Sequence, residues 1–286
     1  MLGTDALREA VSALRASSRP GHPSERDARG SAEEILAFVL GRTAGPGEEL
    51  TGRQLHGFQR LVGRACSGIP APYLTRRIRF MGLDLEVGPE AFIPRPWTEL
   101  LAAKAIRRLR GRRAPVLVDL ATGVGPVALS VARAVPEAVV FGVDIAPAPL
   151  AMARRSAARL GARNARFLRG DLYSPLPRAI AGRVSAITIS PPHIPRGLMR
   201  SVLRQKSVLE PEEAFTDFSR TGLALLNRVA AEGGDWLAPG GWLLVEVMSG
   251  YSRSVAALLR RAEFADVRTA MGMVRFMRLL TARARH

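Results

Sequence analysis

The chain has 286 residues, of which 47% are apolar and 23% charged, and these are ordinary values for a globular protein. They exclude disorder, collagen or a coiled coil as a description of the whole chain, and the single cysteine, Cys66, excludes a disulfide framework and any multi-thiolate zinc site. The formal net charge is +17, from 42 Lys and Arg against 25 Asp and Glu, and only Lys104 and Lys206 are lysines.

The excess of arginine does not by itself identify a binding partner. It suits nucleic acid, it suits an acidic protein equally, and it also follows from an Arg-rich genome composition. No apolar run approaches the roughly 20 residues that span a bilayer, and the N-terminus lacks the apolar core of a signal peptide. We therefore expect a cytoplasmic protein without membrane contact. The four histidines show no ligand spacing, and we expect no metal site.

Residues 1–75 predict a small helical domain. Thr4 is a predicted helix cap, and residues 31–34 and 51–54 both fit the capping box ahead of apolar residues at helical spacing. Residues 17–30, rich in Ser, Pro, Arg and Gly, predict a loop. Residues 76–98 follow as a hairpin linker, because alternating apolar and polar residues around Leu85 are typical of a strand.

Residues 99–286 predict an α/β domain. Apolar strand-like runs occupy residues 116–120, 139–143, 165–168, 185–189 and 242–247. Helical stretches lie between most of them, at residues 127–134, 149–160 and 222–236. This order predicts a parallel sheet covered by helices on both faces. Residues 267–270 and 274–280 predict an antiparallel pair at one edge.

Side chains that suit a ligand follow the first four of these strands. Gly123 and Gly125 follow the first strand and allow the backbone to approach a ligand closely. Asp144 lies about 20 residues further on, where an acidic side chain can accept the two hydroxyls of a ribose. Asp171 follows the third strand and Ser190 the fourth. Because ligands bind beyond the carboxyl ends of parallel strands, this order predicts a nucleoside-binding site.

The glycine loop narrows the choice of nucleoside. It lacks the GxGxxG pattern, and Pro126 follows its second glycine. No basic residue is placed to meet a phosphate, and there is no Walker lysine. The loop therefore favours a nucleoside without pyrophosphate, of which S-adenosyl-L-methionine is the common one.

Short motifs along nearly the whole chain match one family's pattern in order. They are Gly68-Ile-Pro-Ala-Pro-Tyr73-Leu-Thr75, Phe80-Met-Gly-Leu83, Phe92-Ile-Pro-Arg-Pro96-Trp-Thr-Glu99, Asp119-Leu-Ala-Thr-Gly123-Val-Gly125, Glu210-Pro211 and Leu237-Ala-Pro-Gly-Gly241. Together with the aspartates at the strand ends, they make the chain resemble the HemK/PrmC family of S-adenosyl-L-methionine-dependent protein-glutamine N-methyltransferases.

The resemblance implies a fold and a set of site residues. The fold is a helical N-terminal substrate-recognition domain joined by a hairpin to a Rossmann-like, seven-stranded class I methyltransferase domain. The implied catalytic residues are Ser190, Pro191, Pro192 and His193. The implied cofactor-binding residues are Asp119, Ala121, Thr122, Gly123, Gly125, Asp144, Ile145, Asp171, Leu172 and Ser190. The implied substrate-binding residues are Arg95, Trp97, Thr98, Glu99 and Glu210.

Three departures from the family's pattern bear on the reaction. The catalytic motif N-P-P-Y is here Ser190-Pro-Pro-His193, the first glycine of the loop is Ala121, and the Glu before Thr98 is Trp97. As the resemblance implies, the family's Asn oxygen and the following proline carbonyl accept the two protons of a carboxamide. Serine is shorter than asparagine, and serine in this place resembles the S-P-P-Y motif of DNA methyltransferases that modify a cytosine amino group.

Two side chains each allow more than one interpretation. For His193, one interpretation is that it stacks on the acceptor as the family's tyrosine does, and a second is that it takes a proton near neutral pH. The third is that it is only a loop residue. Trp97 fills the space left by a smaller substrate, or it belongs to the core.

We therefore expect an S-adenosyl-L-methionine-dependent methyltransferase that has diverged toward a nitrogen or oxygen of a small-molecule acceptor, such as a specialised metabolite. One alternative is a methyltransferase that modifies a glutamine of a peptide-chain release factor. The others are a catalytically impaired scaffold that binds S-adenosyl-L-methionine or nucleic acid, and a nucleic-acid methyltransferase. No oligomeric state is predicted.

Overall fold

The computed structural model of the chain describes residues 1–17, 25–45, 47–201 and 209–285. These residues form two compact units. One unit contains the described residues up to 77 together with 200, 201 and 209, and the other contains residues 78–199 and 210–285. None of the helices among the described residues is both long enough and apolar enough to cross a membrane.

The first unit is helical. Its helices are α1 (Gly3–Ala16), α2 (Glu25–Leu40), α3 (Gly52–Cys66) and α4 (Ala71–Thr75). Apolar residues three or four positions apart fall on one face of each long helix, and the buried ones pack together. They are Ala6, Ala10, Leu14, Ala28, Ala32, Ile35, Leu36, Phe58, Leu61 and Val62. The substrate-recognition role of this part of the chain stays a prediction.

The predicted helix starts are right for α3 and wrong for α1 and α2. Thr51 accepts a hydrogen bond from the Gln54 amide while the Gln54 side chain accepts one from the Thr51 amide, which confirms the capping box. Helix α1 begins one residue before Thr4, so Thr4 is not its cap. Helix α2 begins at Glu25, so residues 31–34 lie in its interior and residues 25–30 are not a loop. The rest of that predicted loop, residues 18–24, lies outside the described residues.

The physical reason for the early start of α2 is burial. Ala28 and Ala32 are fully buried, so they extend the apolar stripe of the helix by one turn toward its N-terminus. Arg29 and Glu33 form an ion pair at i, i+4 on the outer face, at 2.8 Å. Glu34, the last residue of the expected box, instead accepts a hydrogen bond from the Thr75 hydroxyl at 2.8 Å. Burial raises the pKa of Glu34 to about 7, although the hydrogen bond opposes the shift.

The second unit contains a two-stranded hairpin and a seven-stranded sheet. The hairpin is β1 (Arg77–Phe80) with β2 (Leu83–Glu86). The sheet consists of β3 (Val116–Leu120), β4 (Val139–Asp144), β5 (Ala165–Arg169), β6 (Val184–Ile189), β7 (Leu237–Met248), β8 (Ala265–Met271) and β9 (Met277–Arg283). Its order is β5-β4-β3-β6-β7-β9-β8, parallel from β5 to β7 and antiparallel at β9 and β8. The predicted Rossmann-like α/β fold is confirmed.

Helices cover both faces of the sheet. They are α5 (Glu99–Leu109), α6 (Pro126–Ala134), α7 (Pro147–Leu160), α8 (Ala224–Trp236) and α9 (Ser252–Arg261). Alternate residues of a strand point to opposite faces, so Val118 and Leu120 of β3 enter one core cluster and Leu117 enters the other. Leu120 pairs with both Val143 and Ile189, so the ends of the central strands are level with one another.

The pKa of Glu34 predicts how stability depends on pH. Because the folded value of about 7 lies above the ordinary carboxyl value of 4.5, folding favours the protonated form. This contribution to the free energy of unfolding is present in full below pH 4.5 and is lost as the pH rises through 7. Glu34→Gln keeps a hydrogen-bond acceptor for Thr75 and does not titrate. Its free energy of unfolding should therefore fall less than that of the native chain between pH 5 and pH 8, as measured by urea denaturation.

A neighbouring glutamate supplies the control. Glu33 is exposed and paired with Arg29 on the outer face of α2, so Glu33→Gln should keep the native dependence on pH. Parallel pH profiles for Glu34→Gln and the native chain would contradict the burial of the Glu34 carboxyl.

Candidate active site

The residues predicted for the site gather where the parallel strands end. The loop from Ala121 to Gly125 follows β3, Asp144 ends β4, and Ser190 follows β6. Direct hydrogen bonds connect these segments. The Gly123 amide donates to Asp144 Oδ2 at 2.8 Å, and the Gly170 amide, just before Asp171, donates to the Asp144 carbonyl at 3.0 Å.

A buried carboxylate fixes the glycine loop. Asp119, at the end of β3, is 3% exposed. It accepts hydrogen bonds from the hydroxyls of Thr122, in the loop, and Thr188, in β6. Burial raises the pKa of Asp119 to about 6, and the two threonine hydrogen bonds oppose that shift. Asp119 thus connects the glycine loop to β6 at this edge of the sheet.

The loop turns sharply and borders open space. Ala121, Gly123 and Gly125 all have left-handed backbone angles, with φ of 51°, 56° and 79°. A Cβ at Gly125 would lie 2.8 Å from the Phe167 ring, whereas a Cβ at Gly123 would meet no atom within 4 Å. At Ala121, the left-handed conformation costs an alanine roughly 1–2 kcal/mol. A flat ligand therefore has room beside Gly123, which is what a nucleoside needs.

Two acidic residues at this edge differ in their surroundings. Asp144 accepts hydrogen bonds from the amides of Gly123 and Ala146, which hold its carboxylate against the glycine loop. Burial raises the pKa of Asp144, and these hydrogen bonds lower it. Asp171 is exposed and forms an ion pair with Arg228 at 2.9 Å. The residues that follow them also differ, because Ile145 is 60% exposed whereas Leu172 is buried.

A second buried carboxylate lies beneath Ser190. Glu246 of β7 is 3% exposed, and its Oε2 accepts hydrogen bonds from Ser190 Oγ at 3.0 Å and Thr98 Oγ1 at 2.7 Å. Within the described parts of the chain, no Lys or Arg forms an ion pair with it. Burial raises the pKa of Glu246, and the two hydroxyl hydrogen bonds oppose the shift. Sequence reasoning missed Glu246, although a lone acidic residue within an apolar strand was a usable signal.

His193 is held inside the protein by both ring nitrogens. Its Nε2 accepts a hydrogen bond from the Met248 amide at 3.0 Å, which assigns the proton to Nδ1. Nδ1 donates to the Pro191 carbonyl at 2.7 Å. The ring packs edge-on against Tyr251, with 5.4 Å between centroids. Burial keeps the pKa of His193 below its ordinary value, although the Pro191 and Asp217 oxygens oppose this. Both ring nitrogens of His193 are therefore engaged by backbone groups of the chain.

The charged residues predicted to bind substrate have partners within the same unit. Glu210 forms an ion pair with Arg95 and also accepts the Ile93 amide at 2.8 Å. Glu99 accepts the Met81 amide at 2.8 Å, which ties the hairpin to the start of α5. These bonds fix the segment that carries Trp97 and Thr98.

A loop at residues 215–222 supports the Ser190–His193 segment. The Ile194 amide donates to the Phe215 carbonyl at 2.8 Å. Gly222 has φ of 69°, and a Cβ there would lie 2.2 Å from the His193 carbonyl oxygen. Only glycine fits at this contact.

Gly222→Ala should lower the free energy of unfolding by more than the roughly 1–2 kcal/mol that a left-handed backbone costs an alanine, because the added methyl overlaps the His193 carbonyl. Gly161→Ala is a matched control, since Gly161 has φ of 65° and no atom within 4 Å of a Cβ position. Urea denaturation compares the two variants, and equal losses would argue against this close packing.

Solved structures share the fold. A methyltransferase from Pyrococcus furiosus aligns with a TM-score of 0.51 at 14% identity, covering 72% of this chain and 91% of that one. The T. thermophilus 16S rRNA N2 G1207 methyltransferase aligns with a TM-score of 0.53 at 21% identity, covering 73% of this chain and 50% of that one. At these identities the likeness concerns the fold alone.

Sequence relatives identify the family. A family profile described as a methyltransferase domain matches residues 117–212. The chain is 38% identical to the release factor glutamine methyltransferase of Bordetella pertussis, over 87% of this chain and 90% of that protein. It is 35% identical to the 4-amino-L-phenylalanine/4-methylamino-L-phenylalanine methyltransferase of Streptomyces pristinaespiralis, over 71% of this chain and 69% of that protein. The chain therefore belongs to the HemK/PrmC family and is an S-adenosyl-L-methionine-dependent methyltransferase.

Proposed function

We propose that the enzyme methylates the amino nitrogen of a small-molecule acceptor, which approaches Ser190 from solvent. The observation that carries this proposal is the pair of hydrogen bonds in the catalytic motif. The Pro191 carbonyl accepts from His193, and the Ser190 hydroxyl donates to Glu246. The Ser190 oxygen therefore remains able to accept a hydrogen bond, whereas the Pro191 carbonyl, the second of the family's carboxamide acceptors, is already shared with His193.

The edge of the sheet fits S-adenosyl-L-methionine. In this proposal Asp144 accepts the ribose hydroxyls, the exposed side chain of Ile145 lies against the adenine, and the backbone around Gly123 borders the methionine part. Asp171, two residues after β5, would reach the adenine amino group while sharing its carboxylate with Arg228. When bound, the cofactor supplies an electrophilic methyl group on a sulfonium, whose thioether is a good leaving group.

A carboxamide needs more help from the protein than an amine does. Its nitrogen lone pair is delocalised, so two acceptors must hold both N–H groups and aim the nitrogen at the methyl group. Ser190 supplies one acceptor, but the Pro191 oxygen is shared with His193, so the alignment by two acceptors is weakened here. An amine carries a localised lone pair and needs one acceptor for one N–H.

Ser190 and Glu246 provide that acceptor and a place for the proton. The amine lone pair forms the new N–C bond while the S–C bond breaks and its electron pair stays on sulfur. The nitrogen then carries one proton too many. That proton passes to Ser190 Oγ as the Ser190 proton moves to Glu246 Oε2, 3.0 Å away. Because burial raises the pKa of Glu246, its carboxylate holds a proton better than an exposed glutamate does.

The relatives support two candidate acceptors. The Streptomyces pristinaespiralis relative is a 4-amino-L-phenylalanine/4-methylamino-L-phenylalanine methyltransferase, which supports a small-molecule acceptor for this chain. Most of the similar proteins are release factor glutamine methyltransferases, and identity to one of them extends over 87% of this chain. Glutamine of a peptide-chain release factor is therefore the second candidate. The basic surface keeps a nucleic-acid acceptor as an outcome of the test.

Assays with labelled S-adenosyl-L-methionine separate these candidates. We expect methyl transfer to small primary amines, and slow transfer to a bacterial peptide-chain release factor. Ser190→Asn combined with His193→Tyr rebuilds the family's motif and should shift the preference toward the release factor. Efficient methylation of the release factor or of RNA by the native enzyme, with no small amine accepted, would overturn the proposal.

Glu246→Gln tests the route of the proton. Losing a general base of this kind typically costs about 10²–10⁴ in rate, so kcat with an amine should fall by that order. For the native enzyme, kcat should rise with pH through a value above that of an ordinary glutamate, because only the carboxylate accepts the proton and burial raises its pKa.

The rising limb should be absent in Glu246→Gln, measured with an acceptor whose amino group does not titrate in the same range. Glu137→Gln, on an exposed turn before β4, should keep the native profile. If kcat of Glu246→Gln rose with pH as it does in the native enzyme, the proton would leave by another route.

A further inference from the structure

A group of apolar side chains belongs to the segments that contact His193 or that share Glu246 with Ser190. We call Trp97, Met248, Tyr251 and Phe276 the aromatic rim. Phe276 is 48% and Met248 is 38% exposed, while Trp97 and Tyr251 are half-buried. Large apolar side chains clustered at one place on a surface usually mark a binding site.

The rim is held together by contacts with the catalytic segment. The Trp97 and Phe276 rings meet edge-on at 5.2 Å. The Ser249 amide donates to the Phe276 carbonyl at 2.7 Å, which fixes Phe276 beside the end of β7. The backbone amide of Met248 and the ring of Tyr251 both contact His193.

The rim also connects to the buried carboxylate. Thr98 follows Trp97 directly and donates to Glu246, which in turn accepts the Ser190 proton. The rim itself carries no formal charge. The arrangement is thus an apolar, partly aromatic surface that ends at one hydroxyl and one buried carboxylate.

We propose that the aromatic rim binds a planar aromatic amine, with the ring against Trp97 and Phe276 and the amino group at Ser190. This inference rests on the proposed function and names the class of its acceptor. Aromatic rings pack edge-on or offset against one another, which gives orientation as well as affinity. Trp97 occupies the place of an acidic residue in the family's pattern, so a charge has been exchanged for a flat apolar surface.

The chemistry of the nitrogen agrees with the surface. An aromatic amine is neutral at physiological pH, so no proton occupies its lone pair, which the ring delocalises less than a carbonyl group does. An aliphatic amine is protonated there and must first lose a proton in a site that offers one carboxylate. The uncharged rim favours the neutral molecule, because a charged group loses more solvation when it is buried.

The experiment compares a primary aromatic amine with its saturated cyclohexyl counterpart as acceptors. We expect kcat/KM for the aromatic amine to be at least tenfold higher. Trp97→Ala and Phe276→Ala should each raise its KM by about tenfold, the effect of losing one aromatic contact with the burial that accompanies it. The affinity for S-adenosyl-L-methionine, measured by calorimetry, should stay unchanged, and Trp97→Phe should restore most of the native KM.

Val139→Ala is the control, because Val139 is 37% exposed at the amino end of β4, away from the catalytic edge. It should leave KM as it is. If Trp97→Ala fails to bind the cofactor, the Phe276→Ala result decides. Equal use of both amines, or an unchanged KM in the rim variants, would overturn the inference while the proposed function stands. Methylation of the release factor alone would overturn the proposed function and the inference with it.

Discussion

The edge of the sheet that carries the candidate site depends on a buried carboxylate, which has no cationic partner among the described residues. Glu246 accepts hydrogen bonds from Thr98, at the start of α5, and from Ser190, at the end of β6. A buried charge is costly unless its oxygens are satisfied, so this glutamate holds both hydroxyls in place. The same bonds leave the Ser190 oxygen turned to solvent. The position of the Ser190 hydroxyl thus depends on an interaction within the protein's interior.

The sequence predicted the sheet better than the helices. The run at residues 116–120 coincides with β3 at both ends, because short apolar segments between turns leave little freedom for a buried parallel strand. The start of α2 was wrong, because Ala28 and Ala32 carry a weak apolar signal that only packing turns into a buried stripe. Capping motifs thus indicated a helix start only where no buried face extended further upstream.

The same limit applies to the site. The loop around Gly123 and the aspartate at the end of β4 were predictable, since strand ends and glycine spacing are local features. Whether a side chain is buried depends on contacts with residues that are distant in the sequence. Neither the burial of Glu246 nor the two hydrogen bonds of His193 follows from spacing, because both depend on strands that meet only in the folded sheet. His193 matches the family's tyrosine in position, but it is bound to the neighbouring backbone.

Ala121 begins the glycine loop in a left-handed conformation, with φ of 51°. Its Cβ disfavours this conformation in comparison with glycine. The turn is therefore less stable by itself than one built on glycine. The hydrogen bonds from the Thr122 hydroxyl to Asp119 and from the Gly123 amide to Asp144 hold the loop in the folded chain. The tertiary structure thus imposes a turn that the local sequence disfavours.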